Sequence, residues 1–122
     1  MKNKHPGVSC LYKFIDAFNT AEKNNIITNL HFPHYVHSNG NEPVIYKNGE
    51  DFWKSLSVQL DTMIKVENWS FSTLDKCKII NKTDKTLQCE VEFNRRLINK
   101  KSYGSAKGIW ISTFIDGIWA LQ

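Results

Sequence analysis

Leu87-Gln88-Cys89-Glu90-Val91-Glu92-Phe93 alternates apolar and polar side chains without a break. A helix would scatter these residues around its axis, whereas an extended chain sorts them into one oily face and one charged face. Upstream, Trp69, Phe71, Cys77 and Ile79 share one parity, and Thr83-Asp84-Lys85 supplies a turn between the two runs. A turn centred on Thr83 pairs Cys77 with Cys89 and Ile79 with Leu87, which keeps both apolar sets together. Lys76, Lys78, Gln88, Glu90 and Glu92 then share the opposite face. Ile109 to Ile115 reads as a third long strand, apolar on both faces, and Asp116-Gly117 as a tight turn into Ile118 to Leu121.

Toward the N-terminus the apolar period is helical. Leu11, Phe14, Ile15 and Phe18 predict an amphipathic helix from about Ser9 to Ala21, broken by Glu22-Lys23-Asn24-Asn25. Ile26, Ile27 and Leu30 suggest a short second helix that Pro33 stops. Tyr35 to Ser38 and Val44 to Tyr46 flank Asn39-Gly40-Asn41-Glu42 and read as a hairpin. Asn48 then caps a third helix with Glu50 and Asp51 in its first turn, and Phe52, Trp53, Leu56, Leu60, Met63 and Ile64 as its buried stripe. Helices packed on one face of an antiparallel sheet make an α+β fold. At 122 residues the chain is one domain, residues 9–122, behind a loosely ordered segment, residues 1–8.

Composition bounds the function. The apolar fraction of 41% and charged fraction of 23% are ordinary for a globular domain, and no apolar run is long enough for a transmembrane helix. Met1 to Val8 lacks the apolar core of a signal peptide, so the expected location is the cytoplasm. The net charge of +4 is spread among acids rather than gathered into a stripe, so neither nucleic acid nor membrane is an expected partner. Cys10, Cys77 and Cys89 form no CxxC pair and read as reduced, buried thiols.

Four short motifs carry a family resemblance: Phe14-Ile15-Asp16-Ala17-Phe18-Asn19, His31-Phe32-Pro33-His34, Val91-Glu92-Phe93-Asn94-Arg95 and Asp116-Gly117-Ile118-Trp119. In this order and spacing they resemble the nuclear transport factor 2 (NTF2-like) superfamily, and within it an uncharacterised SnoaL-like group, over about Ser9 to Gln122. The resemblance implies a cone-shaped NTF2-like or cystatin-like fold, with three helices in the N-terminal half packed on a curved, mostly antiparallel sheet. It also implies a homodimer and a pocket for a small hydrophobic molecule. Relatives usually continue the last strand further, so a short closing edge is expected here. The superfamily spans isomerases, cyclases and proteins that only bind, so fold does not settle function. Aligned on the first helix, the position of the ketosteroid isomerase oxyanion tyrosine falls at Phe14, and that of its general base at Ser38. A phenyl ring donates no hydrogen bond, and an unaided serine does not take a carbon-bound proton, so that mechanism is not expected.

The candidate chemistry follows. His31, His34 and His37 tempt a metal reading, but Pro33 forbids one helix through them and strand parity sends His34 and His37 to opposite faces. No metal site is expected, and without a cofactor motif no cofactor. The resemblance places His34 near the pocket entrance as a general base or hydrogen-bond donor; the plainer alternative is a ring bonded to backbone at the helix–strand junction. Asp75 and Arg95 share the inward parities of their strands. Asp75 is the candidate acid–base partner of His34 in isomerase, lyase or cyclase-type chemistry, and Arg95 would steady a carbonyl or carboxylate. The alternatives are a structural Arg95–Asp75 pair, or a bulge that turns Asp75 outward. Tyr12, Phe14, Phe18, Phe32, Trp53, Phe71, Phe93 and Trp110, with Arg95, are the candidate pocket wall if the cone stays open. If it is filled, the chain is a protein-interaction or dimerisation subunit.

Overall fold

The structure, a computed structural model, describes residues 5–37 and 41–122. The expected turn at Asn39-Gly40, Ser38, and the first four residues lie outside the described residues. The chain runs α1 (Pro6–Phe18), α2 (Lys23–Ile27), β1 (His34–Val36), β2 (Val44–Tyr46), α3 (Gly49–Lys65), β3 (Phe71–Lys82), β4 (Thr86–Arg96), β5 (Ser102–Ile115) and β6 (Ile118–Leu121). β3-β4-β5-β6 form one antiparallel sheet, and β1-β2 a separate hairpin. The long sheet is curved, and α1 packs across it from β3 to β6.

α1 starts at Pro6, earlier than the expected Ser9. Pro6 is pre-set for the first helical position, and the His5 ring accepts the Gly7 N–H at 2.9 Å. Gly7 and Val8 are buried, so residues 6–8 belong to the packed domain rather than to a loose terminus. The helix ends at Phe18 because Asn19 turns to the sheet, where its amide exchanges two hydrogen bonds with the Ser72 backbone, and Ala21 adopts φ 55°. The polar run from Glu22 opens α2 instead of breaking α1, with Glu22 at its N-cap. α2 stops at Ile27, well before Pro33, and Leu30 bridges to Leu121.

α3 begins as expected: Asn48 Oδ1 accepts the Asp51 N–H at 2.9 Å. Phe52, Leu56, Leu60 and Met63 form its buried stripe, while Trp53 is half-buried and Ile64 is exposed.

The hairpin forms where expected, but its register differs. Cys77 faces Val91 and Ile79 faces Cys89, with one-residue irregularities at Asp75 and Ile80. The turn closes through Thr83 N–H to the Thr86 carbonyl at 2.9 Å, which shifts its centre toward Asp84. A shift of two residues keeps Cys77 on the helix-facing side. The bulge at Asp75 reverses parity upstream, so Ser72 and Leu74 are the buried residues of early β3 and Phe71 is not on their face. β5 starts at Ser102, seven residues before the expected Ile109, because β4 pairs with it as far as Arg96; its polar, glycine-containing first half carries no apolar period to mark it. Asp116 (φ 53°) and Gly117 (φ 80°) form the left-handed pair that a two-residue hairpin requires.

Candidate functional site

β4 and β5 pair so that Leu87, Cys89, Val91, Phe93 and Arg95 share the helix-facing side with Ser112, Trp110, Gly108, Ala106 and Gly104. Val91, Phe93 and Arg95 on β4 thus oppose Gly108, Ala106 and Gly104 on β5, and a Cβ built on either glycine would meet nothing within 4 Å. Between this surface and the β1–β2 hairpin lies a cleft of about 840 Å³. Phe14, Phe93 and Trp110 form its aromatic wall, with Trp110 edge-on to Phe14 at 5.7 Å and tilted over Phe93 at 5.6 Å. Val44 and Ile45 of β2 also line the cleft. Lys107 is the one Lys, Arg, Asp or Glu among its lining residues.

His34 is the buried polar group of this cleft. Its Nδ1 lies 2.7 Å from the Gln122 carbonyl, which can only accept, so Nδ1 carries the hydrogen. In the neutral ring Nε2 is then an acceptor. Burial pushes the His34 pKa down, opposed by the Gln122 hydrogen bond, so the ring is neutral at neutral pH. Phe52 packs edge-on to the ring at 5.0 Å and Tyr46 lies parallel to it at 6.4 Å. Residues 121 and 122 set this position: Tyr35 N–H and His34 share the Gln122 carbonyl, and His31 N–H bonds the Leu121 carbonyl at 2.8 Å.

A second cleft, of about 280 Å³, adjoins the first through Phe93 and Ala106. Here Arg95 does point to the helix side, but its acceptor is Glu67 at 3.3 Å, in the α3–β3 connection, not Asp75. The Tyr103 hydroxyl donates to the same carboxylate oxygen at 2.7 Å; burial, then Glu67, push its pKa up to about 12.

Asp75 is exposed at its bulge and lines neither cleft. It accepts from Thr73, Asn94 and the Arg96 guanidinium. The expected inward Asp75, its pairing with Arg95, and its place beside His34 as acid–base partner are therefore corrected: one extra residue in β3 turns it outward. Of the other candidates, Phe18 packs on Phe14 and Trp69, Phe32 on Phe52, and Tyr12 and Trp53 border the core. Phe71 pairs with Arg96 at the start of β3, away from both cleft linings. The structure brings together Phe14, His34, Phe93 and Trp110 in one cleft, with Arg95 in its neighbour.

His31 Nδ1 lies 2.9 Å from Thr113 Oγ1, and His37 lines the cleft rim. Among the described residues no three His, Cys, Asp or Glu converge as metal ligands. No described helix is long and apolar enough to cross a membrane. Sequence reasoning missed Glu67, Lys107 and the hairpin wall of Tyr35, Val44 and Ile45. The alternation of small residues at Gly104, Ala106 and Gly108 was the available signal for an open sheet face.

No protein-family model matches this chain, and no curated protein matches it. Solved structures do. An NTF-2 like protein of unknown function from Shewanella oneidensis is 11% identical, covers 93% of this chain and 89% of its own, and superposes with a TM-score of 0.60. A protein provisionally assigned as a ketosteroid isomerase from Shewanella frigidimarina is also 11% identical, over 97% and 91% of the two chains, with a TM-score of 0.69. A third, from Catenulispora acidiphila in complex with S-DNPA, is 11% identical over 93% and 83%, with a TM-score of 0.69. At such identities the likeness defines the fold: this chain has the α+β, NTF2-like fold.

Proposed function

We propose that this protein binds a small, largely apolar molecule in the cleft between the β1–β2 hairpin and the helix-facing side of β4 and β5. The observation that carries the reading is the open aromatic wall of Phe14, Phe93 and Trp110 beside one buried, neutral imidazole. Pockets of this size, apolar with few polar groups, suit small-molecule ligands. With Nδ1 committed to Gln122, Nε2 is the acceptor for a ligand hydroxyl or amine. A structure of the same fold, 11% identical, was solved in complex with S-DNPA, which agrees with a small-molecule reading. Binding is favoured over catalysis because Asp75, the expected acid–base partner of His34, faces solvent. The reading includes pairing of two copies through the outer face of β5, where Ile109 and Ile111 stand exposed.

The test is titration of the purified protein with the apolar fluorophore anilinonaphthalene sulfonate. Saturable enhancement at one site is expected, and Ala106→Phe, which fills the cleft from β5, should lower the affinity about tenfold or more. Equal binding by that variant, folded by circular dichroism, would place the probe elsewhere and sink the reading.

A further inference from the structure

Arg95 is the one Lys, Arg, Asp or Glu that lines the smaller cleft. Its strand, β4, is paired on both sides, to β3 and to β5, so the side chain leaves the sheet across the helix-facing side. Its β5 neighbour there, Gly104, has no side chain to fill the space beside it. The Arg95 side chain is 31% exposed, and Nη1 donates to Glu67 Oε1 at 3.3 Å. The Tyr103 hydroxyl donates to the same oxygen, which helps to hold that carboxylate in place. No described residue accepts from Nε or Nη2 of Arg95. Those two groups form an edge of the guanidinium whose parallel N–H bonds match the two oxygens of a carboxylate. A partly buried cation with that edge unspent carries a desolvation cost that one acceptor does not offset.

Phe93 and Ala106 line both clefts, so the Arg95 cleft opens from the side of the aromatic one. We infer that Arg95 takes the carboxylate of the molecule whose apolar body lies against Phe14, Phe93 and Trp110, so that the ligand is an apolar monocarboxylic acid. The inference rests on the apolar-cleft reading and names the class of molecule. Neither lining includes Asp or Glu, and their charged residues are Arg95 and Lys107. Glu67, behind the lining, sets the charge of the head group. It offsets part of the Arg95 charge, so a singly charged carboxylate balances the site where a phosphate dianion would leave excess negative charge. Phe93 and Arg95 stand about 7 Å apart along one face of β4. A short alkyl tether between ring and carboxylate spans that distance.

The experiment titrates the whole chain with 1-pyrenebutanoate and, separately, with 1-pyrenebutanol, followed by pyrene fluorescence. The two probes share an apolar body and tether and differ in the carboxylate. Saturable binding of both is expected, with the acid about tenfold or more tighter. Arg95→Met keeps an apolar stem without the charge, and should abolish the preference for the acid. Glu67→Gln keeps an acceptor for Arg95 and Tyr103 but removes the competing charge, so it should raise that preference several-fold. It also serves should Arg95→Met fail to fold. The inference is overturned if the parent binds acid and alcohol alike, if Arg95→Met keeps the parent preference, or if Glu67→Gln leaves it unchanged. Equal binding of the two probes removes the acid site and leaves the apolar cleft standing, whereas binding of neither removes both.

Discussion

His34 occupies its place as an uncharged ring, and that has a consequence in acid. Burial holds its folded-state pKa below the ordinary 6.5, so as pH falls the unfolded chain takes up the proton first. Stability present above about pH 6.5 is therefore lost as pH drops through the interval down to the folded-state value, and levels off below it. His31, also pushed down by burial, contributes with the same sign. Urea midpoints taken near about pH 7.5 and about pH 5 should fall further for the parent than for His34→Gln, which keeps a donor for the Gln122 carbonyl but does not titrate. Equal falls would mean that His34 is not a source of the acid sensitivity. Arg95 and Asp75 show what single residues reveal in sequence. Parity was enough to turn Arg95 toward the helices, because β4 has no bulge before it. The same reasoning left Asp75 open between an inward place and a bulge that turns it outward, because a bulge is one uncounted residue with no compositional mark; the bulge is what the structure has, and the Arg96 partner follows from it.

At the scale of elements, α1 approaches β4 and β5 tightly at Gly7. A Cβ at Gly7 would stand 2.8 Å from both Leu87 Cδ2 and Ser112 Oγ, and both residues are fully buried with no room to retreat. Alanine would bring at most about 1 kcal/mol of helix propensity, against about 1–3 kcal/mol for overpacking. Gly7→Ala should therefore lower stability by about 1–2 kcal/mol in denaturant titration, and a gain would mean that α1 can slide on the sheet. The helices and strands themselves were legible because their apolar periods are strong. Their ends were not: Pro6 and Asn19 fix α1 through contacts with His5 and Ser72, and the second of these is far off in sequence. The early half of β5 was missed because its inward residues are Gly104, Ala106 and Gly108, whose smallness serves the cleft rather than the core.

In the whole molecule, the α+β architecture and the strand order were readable, since each long strand follows its neighbour through a short turn. Of the cleft, the aromatic wall was named in advance but the facing hairpin wall was not, because the two walls come from opposite halves of the chain. They are held together by a clasp at residues 121 and 122: Leu30 bridges Leu121, and His31, His34 and Tyr35 all bond to Leu121 or Gln122. Leu121 is 5% exposed, and Leu121→Ala should cost about 2–4 kcal/mol in denaturant titration while weakening fluorophore binding. Loss of stability without loss of binding would show that the hairpin wall stands on its own. The clasp also sets an order in time. Pairing between successive strands closes short loops, while the His34–Gln122 bond joins residues 88 apart and pays a larger closure entropy. A chain emerging from the ribosome cannot make that bond until Gln122 has been released from the exit tunnel, so the His34 segment waits on residues 88 positions downstream to be locked in place.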